Sequence, residues 1–116
     1  SYLSSSLSVQ FISAIYDEII DKYFAHFDQE DFHHQKLIAS ICVNFLYVNC
    51  INNNLDFDSR IFSLLDQLPE MPEFFFYKVL RNYYKAVAGK DTTKCQSIKS
   101  FLAQNGLPHF SDTLPK

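Results

Sequence analysis

The stretch from Glu73 to Leu107, EFFFYKVLRNYYKAVAGKDTTKCQSIKSFLAQNGL, constrains the fold more than any other part of the chain. It reads as two helices joined by a tight turn at Ala88-Gly89-Lys90-Asp91, with Gly106 stopping the second. The first helix is apolar on nearly every side. The second carries a single apolar stripe. A fully buried helix followed by a half-buried one is the pattern by which helical hairpins stack into repeat arrays. It points to a binding scaffold, not a catalytic pocket.

The rest of the chain agrees. Only two Gly and four Pro occur in 116 residues, too few for the many turns of a sandwich or barrel. Helical periodicity appears three more times. From about Leu7 to Phe27, the residues Ile12, Ile15, Tyr16, Ile19, Tyr23 and Phe27 recur at steps of three and four. Ser5 or Ser6 is placed to cap that start. The acidic turn Asp28–Asp31 ends this helix and complements the dipole of the next. From about Phe32 to Asn52, Leu37, Ile38, Ile41, Cys42, Phe45, Leu46 and Val48 cover most of a helix, which makes it central. Asn52-Asn53-Asn54 breaks it, since Asn tolerates the left-handed conformation.

A third helix, about Asp58 to Leu68, has Phe57, Ile61, Leu64, Leu65 and Leu68 on one stripe and Asp56 or Asp58 as its cap. Pro69 ends it, and Pro72 suits the first turn of a helix over about Pro72 to Ala88. The last, about Thr92 to Asn105, turns Cys95, Ile98, Phe101 and Leu102 inward. The tail around Phe110 and Leu114 either adds a turn or frays. The fold class expected is all-α, antiparallel helical hairpins stacked in one domain over residues 1–116.

A hydrophobic content of 47% and an aromatic content of 16% exclude disorder. The net charge of −3 makes the chain a poor direct binder of nucleic acid. No apolar run approaches the length of a membrane span. The start lacks both an initiator Met and a signal-peptide charge pattern, so the natural protein is expected to continue N-terminally. Cys42, Cys50 and Cys95 lack CxxC spacing and sit at apolar helical positions. They read as small buried hydrophobes in a reducing cytoplasm.

Candidate sites are few. Ser40, Asn44 and Tyr47 step along one line of an otherwise apolar helix. An unsatisfied polar group there costs roughly 1–3 kcal/mol. Asn44 therefore either clamps the backbone of an extended peptide or hydrogen-bonds a neighbouring helix. Lys78, Arg81 and Lys85 form a cationic stripe, which meets an anionic ligand group or is a solvated helix edge. Adjacent His33 and His34 rarely converge on a metal. No glycine-rich phosphate loop and no nucleophile signature occur. The chain is expected to have no catalytic residues, no cofactor and no metal.

The run IASICVNFLYVNCINNNLDFDSRIFSLLDQLPEMPEFFFYKVLRNYYKAVAGKDTTKCQSIKSFLAQNGL resembles the C-terminal part of Rgg/GadR/MutR-type transcriptional regulators of Gram-positive bacteria. The resembling features are Asn44 inside an apolar helix, Leu64-Leu65-x-x-Leu68, the aromatic helix Phe74–Tyr84 leading to Ala88-Gly89-Lys90, and Ile98, Leu102 and Gly106-Leu107. They cover roughly Leu37 to Leu114. The resemblance implies a right-handed TPR-like array that binds a short peptide pheromone on its concave face and forms homodimers. It also implies DNA contact only through an N-terminal helix-turn-helix domain absent from this chain. Only Asn44 sits where the family's inward Asn is expected; Tyr47, Lys78, Arg81 and Lys85 complete the expected peptide site on their own positions in this sequence. The dimer interface would lie around Phe101, Phe110 and Leu114. The competing reading is a helical protein–protein adaptor without a DNA-binding partner domain.

Overall fold

The structure, a computed structural model, describes residues 6–115, with side chains from residue 9 onward. Six α-helices follow one another: α1 Ser6–Tyr23, α2 Phe32–Ile51, α3 Ser59–Leu65, α4 Phe75–Ala88, α5 Thr92–Gln104 and α6 Pro108–Thr113. Two 3₁₀ turns, Phe24–Gln29 and Pro72–Phe74, lead into α2 and α4, and no strand occurs among the described residues. The expected all-α class is what forms. Helix α1 packs along α2, α2 and α3 pack on α4, α4 on α5, and α5 on α6.

Local chemistry sets the helix starts. Asp31 caps α2 by accepting from the His34 N–H at 2.8 Å. Asp58, of the two candidates, caps α3 through the Arg60 N–H. Asp91 caps α5 through the Lys94 N–H at 3.0 Å. Each short carboxylate satisfies a backbone donor that the helix leaves free. Of the α1 cap candidates, Ser5 lies outside the described residues and Ser6 is the first helical residue.

The helix ends share one closure. Past α2, α4 and α5 an N–H reaches back to the carbonyl five residues earlier: Asn54 to Asn49, Asp91 to Ala86, Leu107 to Leu102. The residue before each donor is left-handed: Asn53 at φ 58°, Lys90 at φ 56°, Gly106 at φ 97°. This is the Schellman arrangement. At the α4–α5 turn the strained position belongs to Lys90, whereas Gly89 has an ordinary φ of −85°.

The core joins Tyr16 and Ile20 of α1, Ala39, Cys42 and Leu46 of α2, Ile61, Leu64 and Leu65 of α3, Phe74, and Tyr83 and Tyr84 of α4. The Tyr16 ring stacks on Phe45 at 4.0 Å, and its hydroxyl donates to Asp58 Oδ2 at 3.1 Å. Arg60 holds the same carboxylate at 2.8 Å and reaches Asp21 of α1 at 3.3 Å. One acidic cap thereby ties α3 to α1.

Several expectations are corrected. The first helix stops at Tyr23, because His26 leaves helical geometry (φ −141°). Phe27 is still fully buried, and its carbonyl accepts from the buried Gln35 Nε2 at 3.0 Å. Helix α4 is not buried all round, for Phe75, Asn82, Lys85 and Ala88 face solvent. Phe101 does not turn inward. It is exposed and meets the exposed Phe75 edge to face at 6.2 Å. The tail forms α6 and does not fray. It is tied by Ser111 Oγ donating to the Lys99 carbonyl at 2.9 Å and by the Tyr83 hydroxyl donating to the Pro115 carbonyl. Leu114 is thus buried in its own chain, and Phe110 rests on Phe76. Phe110 stays half-buried.

Candidate ligand-binding cleft

Helices α2, α4 and α6 enclose a cleft of about 430 Å³, open on one side. That lies near the lower end of small-ligand sites, roughly 300–1,000 Å³. Helix α2 contributes Ser40, Val43, Asn44 and Tyr47, a three-and-four spacing that keeps all four on one face. Helix α4 contributes Phe76, Tyr77, Leu80 and Tyr84, and the tail adds Phe110, Thr113 and Leu114. The walls are mostly apolar, and not one lining residue carries a charge.

Asn44 is half-buried, and its amide forms no side-chain hydrogen bond among the described residues. Tyr47 stands one turn further along α2 on the same wall. Tyr84 is only 2% exposed. Its hydroxyl has no protein partner among the described residues, yet it is not sealed from solvent, a condition met there by Gln35 Oε1 alone. Tyr84 is one of the residues that line the cleft. Burial, then the nearby Cys50, Tyr83 and Tyr47, push this phenol above the ordinary tyrosine range, so it is neutral.

Lys78, Arg81 and Lys85 lie apart from this cleft, and none lines it. Lys85 Nζ meets Asp66 Oδ1 at 2.7 Å, and Arg81 Nε approaches the same oxygen at 3.6 Å. Asp66 ends α3, so the stripe is engaged by the chain's own acid. Lys78 joins neither pair. Of the five candidate residues, the structure brings Asn44 and Tyr47 together and leaves the three cations elsewhere.

Tyr77 and Tyr84 are the residues that sequence reasoning passed over. Their spacing of seven puts them on one helix face, but that face looked like ordinary core until α2 and α6 were seen to diverge from it. Phe110 was legible only as part of the C-terminal turn and of the expected dimer interface, and Thr113 gave no signal in advance.

Elsewhere the chemistry is sparse. His26 and His34 each stand 3.9 Å from Glu30, on the exposed surface. No group of three or more potential metal ligands converges among the described residues. All three cysteines are free, with Cys42 fully buried and its thiol pushed up to about 12 by that burial. No described helix is long and apolar enough to cross a membrane. No family model, curated protein or solved structure matches this chain.

Proposed function

We propose that this chain is a non-catalytic, peptide-binding helical domain, and that the cleft between α2, α4 and α6 takes a short, partly apolar peptide. The observation that carries the reading is the unbonded Asn44 amide set in an apolar, uncharged wall. Such an amide offers both a donor and an acceptor to an extended backbone. The surrounding rings take the side chains.

The cleft is walled by α2, α4 and α6. The resemblance to Rgg/GadR/MutR regulators supports a regulatory domain whose ligand alters the geometry of an attached DNA-binding domain. A ligand acts in this way only through different affinities for two states. A homodimer belongs to the same reading.

The test begins with peptides selected from a random heptapeptide library on the immobilised domain. Asn44→Ala is expected to weaken their binding by about tenfold, the equivalent of about 1.4 kcal/mol, with an unchanged melting temperature. A large loss of stability with intact affinity would make Asn44 structural. A library that yields no binder removes the peptide reading. The regulator reading further requires a helix-turn-helix encoded upstream of Ser1, and the dimer requires a light-scattering mass of two chains at micromolar concentration.

A further inference from the structure

The cleft carries more information than an apolar groove, because the most buried of its lining tyrosines has a hydroxyl without a protein partner among the described residues. We propose, resting on the peptide reading above, that the Tyr84 hydroxyl is the specificity-determining contact of the site. It selects an uncharged ligand side chain that ends in a hydrogen-bonding group, of which a tyrosine phenol is the representative.

Two independent observations lead there. The first is charge. Every residue lining the cleft is neutral. Arg81 and Lys85 are drawn toward Asp66, and Lys78 does not line the cleft. A carboxylate or ammonium entering the cleft would lose its hydration and meet no counter-charge, which is strongly unfavourable. The second is the unpartnered hydroxyl. Tyr84 is almost wholly buried, yet its oxygen has neither a protein acceptor nor a protein donor among the described residues. Tyr83, its neighbour on α4, meets the Tyr84 ring edge to face at 5.5 Å and secures the tail through Pro115. The two adjacent tyrosines therefore differ in task, one holding the tail in place and the other lining the cleft.

The remaining lining explains the shape of the partner. Phe76 and Phe110, with centroids 5.2 Å apart, make an aromatic wall. Leu80 and Leu114 are buried beneath it. A planar ring suits such walls, and a polar atom at its tip meets Tyr84 and the neighbouring Tyr47. A site built around a polar partner rejects the analogue that lacks it, since its own group is then left unpaired.

The experiment is an NMR chemical-shift titration of the ¹⁵N-labelled domain with capped Gly-Gly-X-Gly-Gly peptides, where X is Tyr, Phe, Glu or Lys. The tyrosine peptide is expected to shift the amides of Asn44, Tyr47 and Tyr84 and to bind about fivefold tighter than the phenylalanine peptide, the worth of one ordinary hydrogen bond. The Glu and Lys peptides are expected to bind at least about tenfold more weakly. In Tyr84→Phe, which removes only an unbonded oxygen and so keeps the fold, the Tyr-over-Phe preference should fall to about one while the phenylalanine peptide keeps its affinity. A preference that survives Tyr84→Phe, or a Glu peptide that equals the Tyr peptide, overturns the proposal and leaves the peptide reading standing. If none of these peptides perturbs the cleft while library-selected peptides do, this proposal alone fails. If neither set does, both fail.

Discussion

The run Phe74-Phe75-Phe76 offers a direct test of the architecture, because three identical side chains occupy three environments. Phe74 is 0% exposed, Phe75 is 54% exposed, and Phe76 lines the cleft half-buried. Truncating a fully buried Phe removes its transfer free energy and leaves a cavity, about 3–5 kcal/mol together. Phe75→Ala creates no cavity and loses the burial of about half a ring. With roughly 1.5–3 kcal/mol for complete burial, that amounts to about 1 kcal/mol, the edge contact with Phe101 included. At roughly 4 °C per kcal/mol for a chain of this size, Phe74→Ala should lower the melting temperature by about 12–20 °C, and Phe75→Ala by about 4 °C. Urea unfolding followed by circular dichroism at 222 nm checks the same order. Should Phe74→Ala fail to fold, Phe74→Leu against Phe75→Leu repeats the comparison with smaller losses. Equal costs at the two positions, or a larger one at Phe75, would refute the placement of the Pro72–Phe74 turn and of everything α4 positions.

Four further outcomes are expected. Lys90→Gly relieves a left-handed residue and should raise stability by about 0.5–1 kcal/mol, while Gly89→Ala, at an ordinary φ, should change little; urea titration reads both. Gly106→Ala should cost about 1 kcal/mol in the same assay, from backbone strain alone, since a Cβ there meets no atom within 4 Å. Hydrogen bonds from Arg60 first, then from its backbone N–H and Tyr16, hold Asp58 below the ordinary aspartate range. The folded value lies below the unfolded one, so this contribution is full above about pH 4 and is lost as the pH falls further; thermal melts between about pH 2 and 6 should show that acid loss diminished in Asp58→Asn. A thiol reagent on the native protein should modify the half-buried Cys95 first and spare Cys42 until unfolding, as mass spectrometry of the labelled peptides will reveal.

The amino-acid sequence by itself determined the all-helical class and most helix boundaries. The signals for these are local: Asp31, Asp58 and Asp91 cap helices using their own next residues, and Asn53 and Gly106 end helices by their own backbone tolerance. Asn44 and Tyr47 were also legible, as polar interruptions of an apolar helix. Tertiary structure alone decided what surrounds them. Periodicity says that a residue lies on an apolar face, but not whether that face meets another helix or a gap. Tyr83 and Tyr84 are alike in sequence, yet one ties down the tail and the other lines the cleft. Phe101 falls in the inward stripe of α5 and still faces solvent, because α6 covers the helix on another side. Arg81 and Lys85 read as candidates for a ligand until the end of α3 placed Asp66 beside them. Each of these outcomes depends on contacts between residues far apart in the chain, and no local pattern encodes such distances.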